Sequence, residues 1–298
     1  FSETAVADLK AAGLTVIDTV NGSPVDARKA IESVLADGRA IDAVAATGDT
    51  AKWSIYDRFE QIGADRCIGP RAYTWPTFAR LDNLLSVANQ TAIYAIIAIG
   101  MTTVIASGGI DLSVGAVIGF TGVLIAVLVS WMGFHPLVAF AIALGVAGLF
   151  GAAMGFTIHY LQVPPFIVTL AGMFLARGGA SIITQDSVPI HHDFYDALGD
   201  LMIRLPGGGR LSFIGMLMIV VFLAGALLAH RTKFGSYVYA LGGNAVSASL
   251  MGVPVAETTV RIYMLSSMLA ALAGIVFSLY TSAGYPLAAV GVELDAIS

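Results

Sequence analysis

The sequence predicts a mainly α-helical, polytopic membrane bundle preceded by a small soluble α/β segment. Of the 298 residues, 57% are hydrophobic and 12% charged, and the mean hydropathy is +0.83. Such a composition is typical of integral membrane proteins that also carry a polar portion. Residues 1–71 hold 11 acidic and 8 basic side chains, whereas residues 83–176 hold only Asp111. We therefore predict a partial α/β segment at 1–71, an interfacial linker at 72–83 and a transmembrane domain at 84–298.

The segment at 1–71 alternates helical and strand-like patterns. Alternation of this kind predicts parallel strands joined by right-handed crossovers. Ligands of such sheets bind at the carboxyl ends of the strands, where Asp49 lies, although an acid at this point can equally cap a helix. The predicted helices are 2–12, 25–36 and 47–63, and the predicted strands are 14–17 and 41–46.

Six apolar runs of about bilayer-crossing length follow an aromatic and polar approach at residues 71–82. Within the third run, Gly148, Gly151 and Gly155 lie on one helical face, which allows a neighbouring backbone to approach closely. The predicted spans are 84–107, 113–133, 137–160, 164–184, 211–229 and 259–282.

Asp111 lies in a glycine-rich break between the first two spans. A carboxylate at the bilayer centre costs about 3 kcal/mol on insertion scales, and irregular backbone at that depth needs protein or water around it. We therefore expect the break to line the bundle interior, with Asp111 capping the next helix by accepting a hydrogen bond from an amide such as that of Ser113 or Val114. Roles in substrate passage or proton coupling are the alternatives. The residues singled out in the break are Gly108, Gly109, Asp111, Ser113 and Gly115.

Two further features lie in and after the fourth span. Arg177 is a second embedded charge, which either extends its long side chain to the headgroups, the option we favour, or pairs within the bundle. Residues 186–210 contain an amphipathic stretch that predicts an external lid helix. The adjacent His191 and His192 cannot share one helical face, so no metal site is expected. The apolar face of the lid is Phe194, Leu198, Leu201, Met202 and Leu205, opposite Asp193, Asp196 and Asp200.

The loop after the fifth span carries Arg231 and Lys233, which the positive-inside rule assigns to the cytoplasm. It contains the signals of a short helix, with Asn244 as N-cap, Gly252 as C-cap and Pro254 preventing continuation. A short, stopped helix in a cytoplasmic loop is suited to docking a partner. A structured connector without a partner is the alternative.

Successive spans place their connecting loops on alternate sides of the membrane, so the side of this loop determines the side of every other loop. The loop at 186–210 and residues 1–82 are then external, and the turn at 108–112 faces the inside. A bacterial inner membrane is the expected location, with membrane lipid around the bundle.

Several functions are excluded or disfavoured. The net charge is -5 without a basic tract, which argues against nucleic acid as a partner. Cys67 is the single cysteine, so no internal disulfide or CxxC site can form. None of the four lysines follows a glycine, so the chain has no Walker A motif, and we expect it to be neither an ATPase nor a cofactor enzyme.

Three ordered motifs, at residues 108–115, 242–253 and 291–297, resemble the permeases of ribose/xylose/galactose-type ABC importers. The resemblance covers about 84–298. Residues 163–172, 206–212 and 261–266 look closest to the galactofuranose permease branch. In the first segment, residues 18–21, 26–31 and 46–49 resemble one lobe of the periplasmic sugar-binding proteins, which implies that Asp49 contacts a sugar hydroxyl.

The resemblance implies a permease that forms a monosaccharide path by alternating access. It implies three protein partners: a cytoplasmic ABC ATPase subunit, a second permease subunit in a homo- or heterodimer, and a periplasmic sugar-binding protein. The short helix of the cytoplasmic loop would couple the ATPase to the bundle. The residues of that coupling loop are Gly243, Asn244, Ala248, Met251 and Gly252.

The chain also departs from these permeases. They begin with a further spanning helix, where this chain has residues 1–82, and they continue beyond 295–297 into a re-entrant stretch and further helices. We therefore expect a truncated bundle, from a fusion of a binding-protein gene with a permease gene or from a fragment. An ion-coupled transporter that uses Asp111, or a membrane receptor with an external sensing lobe, remains the alternative function.

Overall fold

The computed structural model describes residues 6, 9–47, 50–53, 55–59, 62, 67–68, 81–204 and 210–296. The chain divides into two compact units, Phe1–Thr77 and Phe78–Ser298.

The first unit has its own small core around the buried side chains of Ile31, Tyr56 and Ile62. Helix α1 (Pro24–Ala36) begins at a proline and is stabilised at its start by Asp26, which accepts hydrogen bonds from the amide and hydroxyl of Ser23 at 2.9 and 2.7 Å. Strands β1 (Val44–Ala45) and β2 (Cys67–Ile68) pair in parallel. Parallel pairing is therefore present, but the strands are very short, and the partner of residues 44–45 is 67–68 instead of the predicted strand at 14–17.

Two predictions for this unit are wrong. Residues 14–17, predicted as a strand, pair with no described residue, and Leu14 is 57% exposed. In place of the third helix, the described residues form two 3-10 turns, Thr50–Lys52 and Tyr56–Arg58. The physical reason is that a short apolar run becomes a strand only where a partner strand and a buried face receive it.

The second unit contains the six predicted spans, to within four residues at each end. In chain order the helices are α2 (Leu81–Ala106), α3 (Val114–Ala126, continued by a π-helical turn at Val127–Trp131), α4 (Pro136–Tyr160), α5 (Pro165–Ile183), α6 (Asp193–Asp200), α7 (Phe213–Arg231), α8 (Lys233–Gly243), α9 (Ala245–Leu250), α10 (Val255–Thr281) and α11 (Val292–Asp295). Among the described residues, those long and apolar enough to cross a membrane are α2, α3 with its π-helical turn, α4, α5, α7 and α10.

Helix α10 is the centre of the bundle, with α4, α2 and α3 packed around it. The predicted small-residue face of α4 forms the closest of these contacts. A Cβ added at Gly151 would lie 2.3 Å from the carbonyl oxygen of Tyr263, and one at Gly155 would lie 2.7 Å from the Cα of Val260. The glycines therefore allow the α4 and α10 backbones to touch, as predicted.

The connections gather at two opposite ends of the bundle, in the order that alternation predicts. At one end, Gly242 of α8 lies against Ala106 and Ser107 at the end of α2. At the other end, strand β3 (Val188–Pro189) pairs antiparallel with β6 (Ala283–Gly284). The turn after α2 and the loop around α9 therefore share an end, and the loop after α5 lies at the opposite one.

The loop after α5 differs from the predicted lid. Helix α6 ends at Asp200, and the chain turns into a hairpin of β4 (Met202–Arg204) and β5 (Arg210–Ser212). Leu201 and Met202 are consequently exposed instead of extending the apolar face of the helix. The residue that anchors α6 is the buried Tyr195, whose hydroxyl lies 3.2 Å from that of Ser278 in α10. Leu205 lies outside the described residues.

The C-terminal segment, residues 283–296, runs back into the bundle along α3. A Cβ added at Gly119 would lie 3.1 Å from the carbonyl oxygens of Pro286 and Ala288, and one at Gly115 would lie 2.8 Å from that of Ala289. The segment starts beside Gly122, in the second half of α3, and reaches Gly115, next to the first residue of that helix. It therefore penetrates the bundle. Irregular backbone of this kind is tolerated at membrane depth where protein covers it.

Candidate functional site

The glycine-rich break forms a tight turn between α2 and α3. Gly108 has φ +83°, a left-handed conformation that glycine adopts without strain. Gly109 has the hydroxyl of Tyr263 beside it, since an added Cβ would lie 2.5 Å from that oxygen. The two glycines therefore let the chain turn sharply against α10.

The carboxylate of Asp111 is completely buried in this turn. Its Oδ1 accepts hydrogen bonds from the backbone amide of Ser113 at 2.9 Å and from the Ser113 hydroxyl at 2.6 Å. Its Oδ2 accepts a third, at 2.7 Å, from the hydroxyl of Ser266 in α10. The predicted hydrogen bond from the Ser113 amide is present.

Three donated hydrogen bonds stabilise the ionised form of Asp111, which burial alone would destabilise. They also tie the start of α3 to the middle of α10. Because the carboxylate has no exposed surface, a proton has no direct route to it from water. This environment is typical of a structural carboxylate.

The second predicted site, the loop around α9, has the caps that the sequence indicates. The side-chain oxygen of Asn244 accepts a hydrogen bond from the amide of Ser247 at 2.8 Å. At the other end Gly252 has φ +85°, and the amide of Val253 donates to the carbonyl of Ala248 at 3.0 Å. This pair of caps fixes a six-residue helix at one end of the bundle.

The exposed side of α9 is apolar. Val246, Leu250 and Met251 are 72%, 86% and 75% exposed, whereas Ala248 is completely buried. Of the predicted loop residues, Met251 therefore lies on the accessible surface and Ala248 does not. Leu250 and Val246 were not singled out from the sequence, although their spacing from Ala248 places them on the opposite face of a helix.

The two predicted sites are in contact. A Cβ added at Gly242 would lie 1.9 Å from the carbonyl oxygen of Ala106 and 3.4 Å from the Cα of Ser107. The end of α8, which leads into α9, thus lies directly on the turn that leads to Asp111. A side chain larger than hydrogen at 242 would separate the two.

A third polar feature is an ion pair within the bundle, which the sequence left open as the second option for Arg177. Nη2 of Arg177 in α5 lies 3.9 Å from Oε1 of Glu293 in α11. The option we favoured, extension of Arg177 to the headgroups, is therefore wrong, because the chain's re-entry brings an acid to it. Both residues were visible in the sequence, but nothing in the spacing indicated that they meet.

Other candidates stay apart from these features. Asp49 and Ile297 lie outside the described residues. Within the described part of the chain, no group of three or more His, Cys, Asp and Glu side chains is arranged to hold a metal ion. His135 and His192 instead cap helices, their Nδ1 atoms accepting hydrogen bonds from the amides of Leu137 and Phe194.

Six candidate spans, a buried polar turn and a capped helix presented at one end define the second unit as a membrane permease domain. Residues 83–298 match the family described as the branched-chain amino acid transport system permease component. The chain belongs to this family.

Individual relatives are similar over the same region. The Escherichia coli K12 inner membrane ABC transporter permease protein YjfF is 55% identical over 224 residues, which cover 75% of this chain and 68% of that protein. The ribose import permease protein RbsC of the same strain is 38% identical, covering 75% and 69%. The fructose import permease protein FruG of Bifidobacterium longum is 38% identical, covering 74% and 67%. No solved structure matches the chain significantly.

Proposed function

We propose that the chain is the permease subunit of an ATP-driven ABC importer for a monosaccharide. The observation that carries the proposal is the similarity to ribose and fructose import permeases at 38% identity over about three quarters of the chain. The family description names branched-chain amino acids instead. Named relatives at this level of identity are more specific than a description of the whole family, so we favour a sugar.

A separate cytoplasmic ATPase would dock on α9. The support is local: Val246, Leu250 and Met251 form an exposed apolar face on a helix that is fixed by caps at both ends. Exposed apolar residues on a rigid element at one end of a membrane bundle are suited to burial by a partner. The buried Ala248 would hold this face in place and would not itself touch the ATPase.

Movement of α9 would reach the bundle through the turn at Asp111. The end of α8 lies on the backbone at Ala106 and Ser107, and Asp111 links the following turn to Ser266 of α10. Tightly packed backbones transmit displacement because they cannot compress. In this scheme Gly108, Gly109, Asp111, Ser113 and Gly115 form a relay from the coupling loop to the sugar path.

The remaining assignments complete the importer. A second permease subunit would form the other half of the path, and an external sugar-binding protein would deliver the substrate. Residues 1–82 would lie on the external side of a bacterial inner membrane, where Asp49 would be available to a sugar hydroxyl. Galactofuranose is the particular sugar to which the sequence motifs point.

An uptake assay tests the class of substrate. The chain and its ATPase are reconstituted into vesicles that enclose ATP, and the binding protein is supplied from outside together with labelled ribose, xylose, fructose, galactofuranose or leucine. ATP-dependent accumulation of one of the sugars is expected. Accumulation of leucine alone would overturn the sugar proposal, and uptake driven by an ion gradient without ATP would overturn the ABC mechanism.

Leu250→Glu and Met251→Glu test docking on α9. Each places a charge on the proposed apolar contact, and we expect at least a 10-fold loss of ATPase co-purified with the chain, because burial of an unpaired charge at an interface costs several kcal/mol. Leu201→Glu is the matched control, since Leu201 is 50% exposed at the opposite end of the bundle. Unchanged co-purification with both α9 variants would contradict docking there.

A further inference from the structure

The pair formed by Arg177 and Glu293 is a polar feature of the bundle that the proposed relay does not use. The guanidinium extends from α5 and the carboxylate from α11, and their side chains are 21% and 11% exposed. At 3.9 Å the closest nitrogen and oxygen are beyond hydrogen-bonding distance. The two charges attract each other without a direct hydrogen bond.

This pair leaves hydrogen-bonding groups unused. Among the described residues, Nε and Nη2 of Arg177 and Oε2 of Glu293 are buried and have no hydrogen-bond partner. A buried ion pair is stable only when its remaining donors and acceptor are also satisfied, because each unsatisfied charged group carries a large desolvation cost. The pair therefore keeps at least two N–H donors and one carboxylate oxygen without a hydrogen-bond partner in this conformation.

The pair also lies deep in the bundle. Arg177 is twelve residues from the start of α5 and six from its end, which places it about 18 Å and 9 Å from the two ends of the helix. Glu293 is 8% exposed, with its Oε2 against Gly115 at the start of α3. Ionisable groups at such depth normally mark the path of a polar substrate.

We propose that Arg177 and Glu293 form a binding site for the hydroxyl groups of a neutral monosaccharide on its way through the bundle. A hydroxyl group both accepts from an N–H and donates to a carboxylate, so adjacent hydroxyls of one sugar ring satisfy both unused donors and the unused acceptor. The inference rests on the proposed function as a monosaccharide permease and assigns the residues that the sugar contacts.

The charge of the site selects against other small solutes. The guanidinium repels cations and the carboxylate repels anions, while the pair as a whole carries no net charge. A zwitterionic amino acid would have to separate the pair in order to bind both of its charges. A neutral polyol needs no such separation, because it adds no charge and bonds to the atoms that are already free.

Cysteine protection tests binding at the site itself. Ser181 lies one turn from Arg177 on α5, and its hydroxyl bonds to the Arg177 carbonyl at 3.1 Å. Ser181→Cys, in a Cys67→Ser background, keeps both charges of the site and gives a unique thiol one helical turn from Arg177. In the complete importer, we expect the transported sugar at millimolar concentration to slow modification by a methanethiosulfonate reagent at least threefold, whereas leucine does not. The protection should disappear when Glu293→Gln is added.

The outcomes separate this inference from the proposed function. If the importer accumulates a sugar that does not protect the thiol, the site assignment is overturned and the permease function stands. If leucine is accumulated and protects, both are overturned.

A charge exchange excludes a purely structural pair. Arg177→Glu combined with Glu293→Arg restores the attraction but exchanges the positions of donors and acceptor. We expect the exchange to recover the melting temperature lost in either single variant, while sugar uptake stays at least 10-fold below the wild-type rate. Recovery of uptake together with stability would show that only the attraction matters and would overturn the binding role.

Discussion

At the scale of single residues, the two embedded acids have opposite environments. Asp111 accepts three hydrogen bonds from Ser113 and Ser266, so its charge is stabilised within the protein itself. Glu293 keeps an oxygen without a partner among the described residues. A buried acid whose hydrogen bonds are all made is typical of a structural role, whereas a buried acid with an unpartnered oxygen is typical of a site that binds another group. The structure therefore favours a structural role for the acid that is conspicuous in the sequence.

Asp111→Asn tests that structural role. The amide conserves the volume, but it replaces charge-assisted hydrogen bonds with weaker neutral ones, and the bond to Ser266 is kept only if that hydroxyl turns to accept from the amide N–H2. We expect a destabilisation of about 1.5–3 kcal/mol, measured as a lower melting temperature of the detergent-purified chain. Asp186→Asn, at an exposed position, is the control and should be neutral. Full stability with lost transport would instead indicate that Asp111 acts on the substrate.

The cap at Asp111 was predictable because a carboxylate two residues before a free amide is a local pattern. Its bond to Ser266 was not, because 155 residues separate the two and only the packed bundle brings them together. The same reason applies to Arg177 and Glu293. The sequence marks Arg177 as an unusual charge, whereas Glu293 appears only within the motif at 291–297, and nothing in the sequence pairs the two.

At the scale of elements, the close fit of the C-terminal segment on α3 is the contact that places Glu293. An added Cβ at Gly115 would lie 2.1 Å from Oε2 of Glu293, whereas at Gly122 its nearest neighbour is the Cα of Gly284 at 3.8 Å. The two glycines lie on the same side of one helix. They therefore differ in how tightly the segment covers them.

Gly115→Ala and Gly122→Ala test whether the C-terminal segment packs more tightly on α3 at residue 115 than at residue 122. We expect Gly115→Ala to displace α11 and to lower both the melting temperature and sugar uptake, at a cost of about 1–3 kcal/mol for overpacking. Gly122→Ala should be tolerated or should stabilise α3 by about 0.5–1 kcal/mol, because alanine is the better helix former. Equal effects of the two substitutions would mean that the segment does not pack as described.

Elements were predictable where their cause is local. The six spans follow from apolar length, and the ends of α9 follow from Asn244, Gly252 and Pro254. Elements that depend on distant partners were not: residues 14–17 lack a paired strand among the described residues, and the apolar pattern of the lid continues past Asp200 although the helix ends there. The β4–β5 hairpin supplies the competing interaction.

At the scale of the whole molecule, contacts between the ends of helices place the loops in two groups. Gly242 against Ser107 joins the α9 loop to the Asp111 turn, and Ser130 donates a hydrogen bond to Pro189 at the opposite end. This order is internal to the fold and does not depend on which group is cytoplasmic. The orientation in the membrane rests on Arg231 and Lys233 beside the α9 loop.

Thiol labelling in Cys67→Ser protein tests the order and the orientation separately. Met251→Cys and Leu201→Cys place a thiol at opposite ends, on side chains that are 75% and 50% exposed, and Leu14→Cys reports on the first unit. A membrane-impermeant maleimide should label the Leu201 and Leu14 variants in intact spheroplasts, and the Met251 variant only in inverted vesicles, because two opposite ends of a bundle cannot face one compartment.

Labelling of Met251 and Leu201 from the same side would contradict the fold itself. A complete reversal would leave the fold intact and place α9 outside, where no cytoplasmic ATPase could dock, so the coupling role of Leu250 and Met251 would have to be abandoned.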